Sequence, residues 1–169
     1  MPKNIEEVIN NVTAQTTQKP VEILLVEDSP ADVRLMKEAL KESKIVSHLT
    51  VVNDGVEAMA FLHGKGKYAG AQGPDLIFLD LNLPKKNGRK LLQEIKSDER
   101  LKIIPVLVLT TSEAEQDIID AYHLHANCYI TKPMDLNGYI AIMKMIEGFW
   151  LKMVKLPPRR GKGYGEKPY

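Results

Sequence analysis

Glu22-Ile23-Leu24-Leu25-Val26-Glu27-Asp28-Ser29-Pro30 is the stretch that decides the fold. Ile23 to Val26 run without polar interruption, the pattern of a strand covered on both faces rather than on one. The run stops at two acids, and Ser29-Pro30 then opens a helix. Proline suits the first helical turn because the N–H it lacks would be unpaired there, and Ser29 can cap with Asp32 three residues on. Val33, Met36 and Leu40 supply the buried stripe of that helix.

The same alternation repeats along the chain. Leu49-Thr50-Val51-Val52 is followed by Asn53-Asp54-Gly55, where Asp54 and Glu57 have capping-box spacing and Val56 to Leu62 forms a short helix. After a Gly-rich loop (63–74), Asp75 to Asp80 is a third strand, and the loop 81–88 leads to a helix carrying Leu91, Leu92 and Ile95. Pro105 to Thr110 is the fourth strand, followed by a helix (Ile118, Ile119, Tyr122) capped by Ser112 with Glu115. Cys128 to Thr131 is the fifth strand, and Asp135 opens a last helix that runs unbroken to Pro157-Pro158. Five strand-then-helix units predict an α/β fold, a doubly wound five-stranded parallel sheet with helices on both faces.

Size and composition agree with one soluble domain. The chain has 169 residues, 44% hydrophobic and 27% charged. No apolar run approaches the ~18 residues of a membrane span, and the N-terminus lacks a secretory signal, so a cytoplasmic protein without membrane contact is expected. A lone cysteine, Cys128, excludes an internal disulfide and a Cys-rich zinc site, and no histidine pair has metal-ligand spacing. Residues 1–20 read as a polar leader and 157–169 as a basic, solvated tail. From Lys152 to Tyr169 the basic residues Lys152, Lys155, Arg159, Arg160, Lys162 and Lys167 face only Glu166, which leaves the body 21–151 acidic. Gly64-Lys65-Gly66-Lys67 lacks phosphate-loop spacing and reads as a flexible connection.

In an open parallel sheet the chemistry sits beyond the carboxyl ends of the strands. Those ends carry Glu27-Asp28, Asp80, Thr110-Thr111 and Thr131-Lys132-Pro133. Three carboxylates converging at one edge repel one another unless a cation is present. Oxygen-only ligands with room for water favour Mg²⁺. Such a cluster suits phosphoryl transfer to a carboxylate, with Asp80 as nucleophile on the middle strand, Lys132 paired to the phosphoryl oxygens and Thr110 hydrogen-bonded to one of them.

Taken together and in order, Glu27-Asp28, Leu79-Asp80-Leu81-Asn82-Leu83-Pro84 with Gly88, Pro105 to Thr110, and Tyr129-Ile130-Thr131-Lys132-Pro133 resemble a bacterial response-regulator receiver domain over about residues 21–156. The resemblance implies a flavodoxin-like three-layer sandwich with five helices and strand order 2-1-3-4-5. It implies that Asp28, Asp80 and the Asn82 backbone carbonyl hold Mg²⁺, with Glu27 acting through water. It also implies a switch in which Thr110 moves inward and Tyr129 turns from exposed to buried, and a cis Lys132-Pro133 bond that aims Lys132 at Asp80. Segments 81–88, 109–115, 125–133 and 149–157 further resemble the single-domain regulators paired with cyanobacterial phytochrome histidine kinases, which makes such a kinase the expected phosphodonor. Asn87 stands where receiver domains often carry Asp.

Two other classes compete. A phosphatase turning over an aspartyl-phosphate resembles a D-x-D pattern, whereas Asn82 two residues after Asp80 cannot act as an acid or base. A phosphate-independent binding module would be expected to lose Asp80 or Lys132, and both are present. Residues 157–169 are too few to fold, so no direct DNA binding is expected and output is by association. A helix over 135–156 would reach ~33 Å at 1.5 Å per residue. Leu136, Tyr139, Ile140, Met143, Ile146, Trp150, Met153 and Val154 would pack on the sheet. Ile142, Met145, Phe149 and Leu156 continue round the side, and this apolar excess predicts a homodimer built on the last helices.

Overall fold

The computed structural model describes residues 19–159; the expectations placed on 1–18 and 160–169 lie outside the described residues. The strands are β1 (Val21–Val26), β2 (Ser47–Val52), β3 (Leu76–Leu79), β4 (Val106–Thr110) and β5 (Cys128–Thr131). All four pairings are parallel and the order is β2-β1-β3-β4-β5. The helices are α1 (Pro30–Lys41), α2 (Gly55–Leu62), α3 (Gly88–Ser97), α4 (Glu115–His123) and α5 (Leu136–Ile146). The expected doubly wound fold is what forms.

Strand parity divides the interior into two cores. Leu24, Val26, Ile77, Leu79, Val106 and Val108 face α2, α3 and α4, meeting Ala58, Phe61, Leu91, Leu92, Ile95 and Ala121. Their neighbours Ile23, Leu25, Leu76, Phe78, Leu107 and Leu109 face α1 and α5, meeting Met36, Ala39, Tyr139, Met143 and Ile146. The central strands are therefore apolar on both sides, which is why their sequence shows continuous runs.

Caps fix where most helices begin. The Ser29 hydroxyl accepts from the Asp32 N–H at 3.3 Å, Asp54 from Glu57 at 2.8 Å, Asn87 from Arg89 at 2.8 Å and Asp135 from Gly138 at 2.8 Å. The expected Ser112 cap does not form. Helix α4 starts from Ala114 without a side-chain cap: the Ser112 oxygen accepts from the Ala114 N–H at 3.3 Å, short of the helix's first turn, while its hydroxyl donates to Asp117 at 2.5 Å. The Gly-rich loop is also more than a connection. Gly66–Tyr68 makes a 3₁₀ turn fastened by Lys67 and Tyr68, each 2.6 Å from Glu57.

The last helix departs from expectation. After Ile146 the backbone widens into a π-helical segment, Glu147–Met153. Glu147 is buried, accepts from the Ser43 hydroxyl at 2.8 Å and the Lys44 N–H at 3.3 Å, and pairs with Lys152 at 2.8 Å. Five residues separate Glu147 from Lys152, the spacing that a π-helix stacks and an α-helix does not. The wider turn rotates later side chains out of α-helical register. Met153, expected on the sheet, is 63% exposed, and Leu136, at the helix's first residue, is partly exposed at 37%. Met145 and Phe149 are exposed as expected.

Part of the basic tail is docked rather than solvated. Arg159 donates to Asp75 at 2.7 Å, to Gln72 at 2.9 Å and to the carbonyl of Pro20. Asp75 also accepts from the Glu22 N–H at 2.8 Å. The chain after the π segment is thus tied to the amino ends of β1 and β3, opposite the acidic edge.

The loop after β3 folds tightly onto α3. The Gly88 N–H donates to the Leu81 carbonyl at 3.1 Å, and a Cβ at Gly88 would stand 2.4 Å from the Asp80 carbonyl oxygen and 2.5 Å from Leu81 Cα. Backbone on both sides cannot give way. Gly88→Ala is therefore expected to lower stability by about 1–3 kcal/mol, as overpacking does. Urea unfolding of the two proteins checks this, and equal midpoints would show that α3 moves aside without cost.

Candidate functional site

Register brings the acids together. Val26 pairs with Leu79, so Glu27 and Asp80 leave the sheet at one level, and the Asp80 N–H donates to the Val26 carbonyl at 3.1 Å. Thr110 pairs with Thr131, which delivers Lys132 from the far edge, its N–H on the Thr110 carbonyl at 2.8 Å. Glu27, Asp80, Thr110 and Lys132 are all buried, while Asp28 is exposed at the rim.

The Lys132 ammonium lies 2.6 Å from Glu27 Oε2, 2.8 Å from Asp80 Oδ2 and 2.9 Å from Asp32 Oδ2. Three donors thus meet three carboxylates. Burial alone would lower the Lys132 pKa, but the hydrogen bonds to Asp80, Glu27 and Asp32 outweigh it and hold the ammonium above its ordinary value. For Glu27 the balance runs the other way. Burial pushes its carboxyl up, against the Lys132 ammonium and the Ser29 N–H that donates to it at 2.9 Å.

One ligand oxygen from each of Glu27, Asp28 and Asp80 falls within a common 4.8 Å, so the three can share one ion. All-oxygen carboxylate donors suit a hard divalent cation, and the exposed Asp28 leaves a side open for water ligands. The donor set fits the Mg²⁺ expected from the sequence. Asn82 is at the same place: its N–H donates to Asp80 Oδ1 at 3.0 Å, and its side-chain amide reaches the Thr110 hydroxyl at 3.5 Å.

Tyr129 is half-buried, its hydroxyl donating to the Ser112 carbonyl at 2.9 Å. It packs against the same core as Val108, on the side of the sheet that Thr110 faces. The expected cis Lys132-Pro133 bond is corrected: no peptide bond among the described residues is cis. The trans chain already delivers Lys132 to Asp80, and Pro133 instead packs under α5, where a Cβ on Gly138 would stand 2.4 Å from Pro133 Cβ. Asp32 is the site residue that sequence reasoning missed. Its capping position beside Ser29 was visible, but its place four residues after Asp28, facing the same edge, was the available signal.

A five-stranded sheet in this order, with paired acids after β1, an aspartate after β3 and a lysine after β5, defines a phosphoacceptor-type receiver. The family model of the response regulator receiver domain matches residues 23–144, and the chain belongs to that family, whose members signal in two-component systems. It is 54% identical to response regulator Rcp1 of Synechocystis sp. over 138 residues, covering 82% of this chain and 94% of that protein. The crystal structure of the phosphorylated cyanobacterial phytochrome response regulator RcpA is 54% identical with a TM-score of 0.79, covering 83% of this chain and all of that one. The Mn²⁺-bound form of Rcp1 superposes with a TM-score of 0.77 at 53% identity, covering 82% and all respectively.

Removing one partner of a buried charge cluster strands the others. Lys132→Ala is expected to cost about 3–5 kcal/mol at neutral pH without divalent cations. Urea unfolding measures it, and unchanged stability would show that the carboxylates do not depend on Lys132.

Proposed function

We propose that this response regulator accepts a phosphoryl group on Asp80 from a phosphohistidine of a phytochrome-type histidine kinase, or from a small acyl phosphate. The observation that supports this most is the Lys132 ammonium placed 2.8 Å from Asp80 Oδ2 among buried acids. An Asp80 carboxylate oxygen attacks phosphorus and the new O–P bond forms as the donor's bond breaks: the N–P bond of phosphohistidine, whose leaving imidazole nitrogen takes a proton from solvent, or the acyl O–P bond of an acyl phosphate, which leaves as a carboxylate. Asp28, Asp80 and the Asn82 carbonyl would hold Mg²⁺, with Glu27 acting through water; when bound, the ion offsets charge on the phosphoryl oxygens. Lys132 pairs with one of those oxygens and the Thr110 hydroxyl with another. Hydrolysis by water returns Asp80 to its carboxylate without any other enzyme.

The switch follows from the neighbours of Thr110. As its hydroxyl turns to the phosphoryl oxygen it leaves the Asn82 amide, and the space beside it admits the Tyr129 ring, which gives up Ser112. Similarity to RcpA and Rcp1 supports the phytochrome partner. A cytoplasmic setting goes with such a kinase. Association is assigned to α5 and the π segment, where Met145, Phe149 and Met153 are 65%, 55% and 63% exposed. This apolar strip is the face of a homodimer.

Intact-mass measurement with acetyl phosphate and Mg²⁺ tests the acceptor. One added phosphoryl group is expected on the native protein and none on Asp80→Asn, and equal uptake by both would overturn the assignment. Sedimentation tests the dimer, for which a monomer at high micromolar concentration in both phosphorylation states is the refuting result.

A further inference from the structure

The Tyr139 hydroxyl is buried without a hydrogen-bond partner, the one such side-chain atom among the described residues. Tyr139 is 1% exposed and stands on α5 beneath the acid cluster. Burial pushes its pKa up, and among its charged neighbours Asp32 acts on it most, close enough to act as a weak acceptor although no well-formed hydrogen bond joins the two. A buried hydroxyl left unpaired is unfavourable, so some state of the protein is expected to satisfy it.

Asp32, in the first turn of the facing helix α1, is the acceptor at hand. Of the three carboxylates on Lys132 it is the most exposed, at 28% of its side chain against 3% and 5%, and it makes the longest contact. It is accordingly the partner most easily released. Resting on the reading of Asp80 as phosphoacceptor, we infer that Asp32 and Tyr139 are a positioning pair for Lys132. Asp32 holds the ammonium while Asp80 is bare. When Lys132 turns to the phosphoryl oxygens, the Asp32 carboxylate exchanges it for the Tyr139 hydroxyl. While Asp32 is held on Lys132, the Tyr139 hydroxyl makes no hydrogen bond of good geometry; the exchange completes one and so links Asp80 to α5, independently of Thr110 and Tyr129.

Tyr139→Phe keeps the ring and deletes the hydroxyl. Binding of beryllium trifluoride with Mg²⁺, a phosphoryl mimic read at equilibrium, is expected to weaken about fivefold, the equivalent of one net hydrogen bond. The unliganded variant is expected to unfold at the same or higher urea concentration, because it has lost an unsatisfied group rather than a contact. In an Asp32→Ala background, Tyr139→Phe should have no further effect on binding. Native-like affinity in Tyr139→Phe, a loss of unliganded stability matching the loss of affinity, or an undiminished effect without Asp32 would each overturn the exchange. Asp80→Asn is the control: if it binds the mimic as the native protein does, the acceptor assignment fails, and if it does not, the Tyr139 result judges the exchange alone.

Discussion

A single ammonium shared among three carboxylates is the interaction on which the rest of this structure depends. Glu27 and Asp80 are 2% and 5% exposed, and acids that deep persist in charged form only beside a compensating cation. Lys132 is that cation, and it comes from the opposite end of the chain. The constraint therefore runs through the whole sheet. β1 and β3 must end at one level, β4 must separate them from β5, and the chain must turn inward just after β5, which the observed register allows. The two apolar cores keep the strand ends in place, and α1 adds Asp32 from its first turn.

Much of this was legible in the sequence because parallel register turns one-dimensional strand ends into a two-dimensional edge. The continuous runs Ile23 to Val26, Leu76 to Leu79 and Val106 to Leu109 can only be central strands, and the residue after each is then placed without side-chain information. Asp54 and Asp135 likewise cap the helices they were expected to cap. Asp32 was harder to read. An acid three residues after Ser29 already has an ordinary role in a helix's first turn, and its reach to Lys132 spans 100 residues. Tyr139 was equally masked, since an aromatic at stripe spacing is expected to be core, and it is core; only the unpaired oxygen marks it out.

The π segment failed to show for a different reason. Helical periodicity is scored against a fixed 3.6-residue turn, and Leu136 to Val154 satisfy it well enough to read as one helix. What widens the turn is a tertiary demand, the burial of Glu147 against Ser43 and Lys44 from the far side of α1. Ser112 differs on a smaller scale, its oxygen taken by the Ala114 N–H just before α4 and its hydroxyl donating to Asp117. The trans Lys132-Pro133 bond shows a tertiary demand on the backbone, where the packing of Pro133 on Gly138 sets the turn into α5.

The division of the interior by strand parity bears on how a change at Asp80 can travel. Thr110 and Tyr129 belong to the face shared with α2, α3 and α4, and Tyr129 is tied to the α4 side through Ser112. Tyr139 belongs to the other face, with α1 and α5, where the exposed strip of Met145, Phe149 and Met153 begins. The packed sheet between them moves little, because its central residues are fully buried on both sides. The acid cluster at the strand ends is where both faces meet, with Asn82 reaching Thr110 on one side and Lys132 reaching Asp32 on the other. The two faces are therefore reached from Asp80 through separate contacts. On the proposed reading of Asp80, one phosphoryl group would bias both helical layers without deforming the sheet that holds them.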